Sequence, residues 1–118
     1  MEKPSSLDAL LHQPVRTLVA AYLAGRGRAT FTELKRALSL TDGNLDAHLR
    51  KMIEAGYLAT HRDDSVGRVQ TVFSLTEGGR TALDVYFGQL ARLREFAAHG
   101  SDPAPASDAG LDAGGATT

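Results

Sequence analysis

The chain has 118 residues, 42% of them hydrophobic, no cysteine and a formal net charge of −1. That length suits one domain with a modest core, and the missing thiols exclude disulfides and thiolate metal sites, so the cell interior is the expected setting. A net charge of −1 is poor for a nucleic-acid binder, because Lys and Arg supply most non-specific nucleic-acid affinity; Asp102, Asp108 and Asp112 fall after residue 99 with no Lys or Arg, which leaves a mildly basic +2 for residues 1–99, so charge alone does not establish DNA binding.

At the start, residues 7–12 are amphipathic but too short and polar for a signal or membrane segment, so no membrane is expected as partner and the protein is expected to be cytoplasmic. Leu7, Leu10, Leu11, Val15, Leu18, Val19, Tyr22 and Leu23 recur at helical spacing. Pro14 interrupts them and suits a first turn, so the spacing predicts a short helix at 7–12 and a second from Pro14, stopped by Gly25-Arg26-Gly27. Thr30-Phe31-Thr32-Glu33 has the form of a capping box and opens a short helix with Leu34, Ala37 and Leu38 on its apolar face. After the tight connection Ser39-Leu40-Thr41, Thr41 can cap a helix over 42–55, with Gly56 at its C-terminal end.

Beyond Gly56 the period changes to near two. Residues 57–62 and 69–75 read as strands joined by Asp63-Asp64-Ser65-Val66-Gly67-Arg68, a hairpin with a wing at 62–69. Thr76 then caps a long helix from Glu77 to about His99. From Gly100 onward Leu111 is the only large apolar residue, so 100–118 is expected to be a disordered acidic tail, and 1–99 the folded domain. Helix, short helix, tight turn, helix, hairpin, helix is the winged helix-turn-helix order, mainly α with a small β-hairpin (α+β), in which one helix fits the major groove and the hairpin reaches backbone or minor groove beside it.

On the 42–55 helix, Leu45, Leu49, Met52 and Ile53 are expected to face the core. The opposite face offers Gly43, Asn44, Ala47, Arg50, Lys51 and Glu54, following Thr41 and Asp42 at the helix start. Asn44 can pair with adenine, and Arg50 and Lys51 with guanine or phosphate. His48, at the border, either contacts phosphate or seals the groove between helices. Arg68 at the hairpin tip could enter a narrow minor groove or be a plain loop residue, and Arg62 could reach phosphate. The alternative for the whole face is an ordinary solvated helix.

The last helix repeats Leu83, Tyr86, Leu90, Leu93 and Ala97 at three and four spacing with Phe87 beside them, a stripe wider than one small domain needs. A homodimer seam is expected there, with Leu7, Leu10 and Leu11 contributing. No cofactor or metal is expected, since His12, His48, His61 and His99 show no ligand spacing. No nucleophile or phosphate loop suggests an enzyme.

Phe31-Thr32-Glu33-Leu34-Lys35, Leu40-Thr41-Asp42-Gly43-Asn44-Leu45, the run from His48 to Tyr57 and Leu75-Thr76-Glu77-Gly78-Gly79-Arg80 resemble bacterial winged-helix regulators of the MarR and ArsR type, closest to their small stand-alone DNA-binding group. The resemblance implies a dimeric transcriptional regulator, commonly a repressor, that binds double-stranded DNA at an inverted-repeat operator with a recognition helix at 42–55. A small apolar effector of unspecified identity could sit between the first and last helices. The chain departs from these families in having Asp46 and Ala47 where small hydroxyl residues are frequent. Asp46 repels phosphate but can accept a hydrogen bond from cytosine or orient a neighbouring Arg. The rival reading is a winged-helix protein-protein interaction module without specific DNA binding.

Overall fold

The computed structural model describes residues 6–100; the expected tail therefore lies, apart from Gly100, outside the described residues. The elements run α1 (Pro14–Arg26), β1 (Ala29–Thr30), α2 (Phe31–Leu38), α3 (Asp42–Glu54), β2 (Leu58–Asp63), β3 (Gln70–Leu75) and α4 (Glu77–His99). This is a winged-helix fold: mostly helix, with an antiparallel sheet of order β1-β3-β2. In register, Leu58 pairs with Leu75 and Arg62 with Thr71 along the wing, while Ala29 pairs with Phe73. Two compact units divide the chain, Asp8–Tyr86 and a second that includes Leu7 and the helix from Phe87 onward.

Local chemistry sets the boundaries of the helices. The Gln13 side chain accepts from the Arg16 amide and Pro14 stands at the first turn of α1, where its missing N–H costs nothing. Thr30 and Glu33 close a complete capping box on α2. Thr41 Oγ1 accepts from the Asn44 amide at 3.2 Å to start α3. Two reciprocal bonds close α3: the Gly56 N–H donates to Ile53 O at 2.9 Å and the Tyr57 N–H to Met52 O at 2.9 Å. That closure needs a left-handed residue, and Gly56 supplies it at φ 82°.

Residues 7–12 do not form the expected helix. Asp8 Oδ1 accepts the amides of Leu10 and Leu11 at 2.8 and 3.1 Å and Asp8 O accepts the His12 amide at 2.8 Å, so the segment is a single capped turn that ends before Pro14. Ile53, expected in the core, is 38% exposed. At about 100° per residue it stands about 80° from Leu45, whereas Leu49 and Met52 lie within about 40°, so it falls on the rim. The two-residue strand β1 has no counterpart among the expected elements.

The core of the Asp8–Tyr86 unit is apolar throughout: Leu11, Val19, Ala20, Leu23, Leu34, Leu45, Leu49, Met52, Leu58, Val72, Phe73, Leu83 and Tyr86 are buried. Leu11, Leu83 and Tyr86 were expected on a dimer seam. They are 1%, 2% and 4% exposed within the single chain, because Leu83 and Tyr86 lie on the first turns of α4 and fill this core, and the Asp8 turn carries Leu11 inward. They offer no surface to a partner.

The first turn of α4 packs directly on the chain leaving α3. Thr76 Oγ1 accepts from the Gly79 amide at 2.9 Å and donates to Gly56 O at 2.6 Å; the Thr76 N–H donates to Tyr57 O at 3.0 Å. Gly79 lies so close that a Cβ there would stand 2.2 Å from Tyr57 O and 2.9 Å from Tyr57 C. The obstacle is backbone, which cannot rotate aside. Gly79→Ala is therefore expected to destabilise the fold by about 2–3 kcal/mol despite alanine's better helix propensity. Urea denaturation followed by far-ultraviolet circular dichroism checks it; a variant as stable as the parent would show that this approach is not a constraint.

Candidate nucleic-acid interface

Leu45, Leu49 and Met52 anchor α3 to the core, and burial of each contributes about 1.5–3 kcal/mol. Anchoring one face fixes the other. Gly43, Asn44, Ala47, Arg50, Lys51 and Glu54 are all exposed on it, spread over about 120° of helix circumference. Nothing lies within 4 Å of a Cβ built at Gly43, so the helix start presents an open surface.

Side chains from neighbouring elements tie this face in place. Lys35 Nζ on α2 meets Asp42 Oδ1 at 2.8 Å, bridging the tight connection between the two helices. Asp42, one of the expected contact residues, is thereby engaged within the chain. Asp46 Oδ2 holds Arg50 Nε at 2.8 Å one helical turn away. Of the two roles open to His48, its position bears on the groove between helices: half-buried, its Nδ1 accepts from Arg16 Nη1 at 3.0 Å, and Arg16 Nε donates to Leu10 O at 2.5 Å. An arginine on α1 thus links the N-terminal turn to α3, a partnership that no sequence spacing signals.

The wing stands on the same unit. Arg62 is exposed on β2, and Arg68 is exposed in the connection at 64–69 between Val66 and Val69, which are exposed as well. Asp63 Oδ1 accepts from the Ser65 amide at 3.0 Å and Gly67 N donates to Asp64 O at 3.2 Å, so the base of the loop is ordered by its own backbone. Arg28 Nη2 approaches Asp63 Oδ2 at 3.8 Å, joining the approach to β1 with the wing. The Ser65 bonds, foremost, hold the Asp63 carboxyl below its ordinary value.

The structure thus gathers Thr41, Asp42, Gly43, Asn44, Ala47, His48, Arg50 and Lys51 on α3 and its cap, and places Arg62 and Arg68 on the hairpin. Among the described residues no three His, Asp or Glu side chains come together as a metal site, and no helix is long and apolar enough to cross a membrane. An open groove of 490 Å³ is lined by His12, Gln13, Pro14, Thr17, Leu18 and Tyr86, where His12 Nδ1 and the Tyr86 hydroxyl stand 2.9 Å apart.

A capped, core-anchored helix with an open polar face, preceded by a short helix and followed by a hairpin, defines the winged-helix class of DNA-binding module. Residues 15–93 match the family model of the winged helix DNA-binding domain. An uncharacterized protein of Methanocaldococcus jannaschii, MJ0432, is 37% identical over 84 residues, covering 71% of this chain and 91% of that protein. The chain belongs to the winged helix DNA-binding domain family. Among solved structures, a transcriptional regulator homologue from Pyrococcus horikoshii superimposes with TM-score 0.69 at 28% identity, over 75% of this chain and 87% of that one. A transcriptional regulator of the MarR family from Enterococcus faecalis shares the fold with TM-score 0.63 at 22% identity, over 78% and 82% of the two chains.

Burial, then the positive charges of Arg16 and Lys51, push the His48 pKa below its ordinary 6.5. The folded state thus binds this proton less tightly than the unfolded chain, so His48 lowers stability as pH falls below 6.5 toward its depressed value. Thermal melts of the parent are expected to drop more steeply on acidification than those of His48→Gln; parallel pH profiles would contradict a depressed His48 pKa.

Proposed function

We propose that the protein is a sequence-specific transcriptional regulator that inserts α3 into the DNA major groove as a homodimer, with the hairpin on the flanking backbone or minor groove. The observation that carries this reading is the α3 face of Gly43, Asn44, Ala47, Arg50 and Lys51, fixed by the core and exposed among the described residues. Asn44 has paired donor and acceptor groups suited to adenine, and Arg50 and Lys51 suit guanine or phosphate. Thr41 and Gly43 at the helix start allow phosphate to approach, and Arg62 and Arg68 supply charge outside the groove. Occupation of an operator would exclude polymerase from the same DNA, so repression is the expected sign. The folded regulator is taken as 1–99, with 100–118 an acidic tail, and the cytoplasm is its expected place of action.

Support for self-association comes from the distal part of α4, where Phe87 and Leu93 are 44% and 41% exposed and Leu90 is half-buried. Leu7 is half-buried in the same unit, and Ala97 is exposed on the same helix stripe. Helix pairing about a two-fold axis would cover these apolar side chains, and two-fold symmetry in the protein calls for an inverted repeat in the DNA. The groove at His12 and Tyr86 offers a place where a small apolar effector could act.

Duplexes selected from fragments of the source genome provide the test. Each lost base contact costs about 1–3 kcal/mol, so Asn44→Ala with Lys51→Ala is expected to weaken binding to the selected duplex at least tenfold while leaving the thermal melt unchanged. Binding should also fall steeply with salt, as counterion release requires. An unaffected double variant would remove α3 as the reading element, and salt-insensitive binding would favour a protein-interaction module. Leu93→Glu is expected to yield a monomer by light scattering with helical circular dichroism retained, because a charge in an apolar seam is costly to desolvate. A parent already monomeric, free and on DNA, would overturn the homodimer.

A further inference from the structure

The α3 face carries acids where an approach to phosphate would favour none. Asp42 is paired with Lys35 of α2, which accounts for it as a brace between helices. Asp46 has no such link: it is 54% exposed, and its partner is Arg50, 74% exposed, on the same helix. A solvated pair of this kind adds little to stability. An acid on a DNA-facing helix costs binding energy against every phosphate. The stability of α3 therefore gives no sufficient reason for Asp46, and the geometry of the pair points to another use.

A guanidinium carries five N–H donors in a rigid plane. Asp46 Oδ2 engages Arg50 at Nε, at 2.8 Å. The terminal edge, with Nη1 and Nη2 side by side, makes no hydrogen bond among the described residues. That edge is a planar fork of the kind that pairs with guanine O6 and N7. Around the helix axis, Asp46 stands about 100° from Leu45 and Arg50 about 140°, with the centre of the outward face near 180°. The acid thus lies toward the rim and the arginine toward the middle, so the carboxylate can hold Nε without itself occupying the groove floor. Glu54, one turn beyond Arg50, adds a second, more distant attraction.

We infer that Asp46 is a positioning residue which holds Arg50 with its terminal fork outward, making the pair a single reader of a guanine in each half-site. This inference rests on the DNA-binding reading of α3 given above. Pre-ordering a long side chain lowers the entropy lost when the arginine binds. The negative charge has a second effect: it weakens attraction to every duplex alike, so any preference for the right site comes from the held arginine and not from the charge.

The two effects of Asp46 are separable, because the charge acts on every duplex alike whereas positioning acts only where the guanine is present. The full-length parent, Asp46→Ala, Asp46→Asn, Arg50→Ala and the double variant would be titrated by fluorescence anisotropy. The duplexes would be the parent's selected sequence, a set with each guanine replaced in turn, and a scrambled control. The parent is expected to lose at least tenfold in affinity on replacement of one particular guanine, and Arg50→Ala to lose that preference entirely. Asp46→Ala should reduce the same preference severalfold while binding the scrambled duplex as tightly as the parent or more tightly. Asp46→Asn, which keeps an acceptor for Nε, should restore part of the preference, and the double variant should discriminate no worse than Arg50→Ala alone. If Asp46→Ala gains affinity for all duplexes equally with the guanine preference intact, Asp46 is only a solvated ion-pair partner and the inference fails. If the parent selects no sequence at all, the DNA-binding reading fails with it; if it selects a sequence in which Arg50→Ala changes no base preference, the inference alone fails.

Discussion

Two consecutive residues, Gly56 and Tyr57, join the end of α3, the start of α4 and the N-terminal turn of the Asp8–Tyr86 unit. Their amides close the C-terminus of α3, and their carbonyls receive the Thr76 hydroxyl and amide at the start of α4. From the Tyr57 side chain, the phenol donates to Asp8 Oδ2 at 2.6 Å, and the other oxygen of the same carboxylate organises the N-terminal turn. That bond to Asp8, with burial, pushes the Tyr57 pKa up to about 12, so the phenol remains a donor at any physiological pH. Because Gly79 has no side chain, α4 can lie against this junction. The end of α3, the first residue of the wing strand and the first turn of α4 are consequently positioned by one patch of backbone, and the orientation of the outward α3 face follows from it.

That dependence separates two kinds of residue on α3. Leu45, Leu49 and Met52 are bound to the core and determine which way the helix faces. Asn44, Ala47, Arg50 and Lys51 contribute little to holding it there, so they can be substituted at little cost in stability. Asp46 and His48 are intermediate. Each is engaged with an arginine, one on the same helix and one on α1, and each bears on how the face is presented.

Much of this was legible in the amino-acid order because it is local. A hydroxyl or amide side chain followed by a helix start is a short-range signal, and Thr30, Thr41 and Thr76 each cap as their positions suggest. Gly56 and the alternation on either side of the wing are of the same kind. What escaped was set through space. Residues 7–12 stop at one turn capped by Asp8, an early end that apolar spacing does not reveal. Periodicity grouped Ile53 with the core, but a stripe read at three and four spacing has an edge, and only packing fixes where burial stops. The stripe on α4 was legible as apolar, yet its division was not: Leu83 and Tyr86 are consumed by the chain's own core, whereas Phe87 and Leu93 remain exposed. The links from Arg16 to His48 and from Lys35 to Asp42 join different elements and leave no trace in spacing.

The central claim is that the open face of α3 is the surface covered by DNA, and it can be read from a single reporter because the chain has no cysteine of its own. Ala47→Cys places a thiol in the middle of that face, and Ala21→Cys places one at an exposed position of α1. The rate of alkylation of each thiol would be measured with the protein free and saturated with its selected duplex. The account predicts that DNA strongly protects Cys at position 47 and leaves Cys at position 21 unchanged. A thiol at position 47 that reacts as fast in the complex as in the free protein would contradict it.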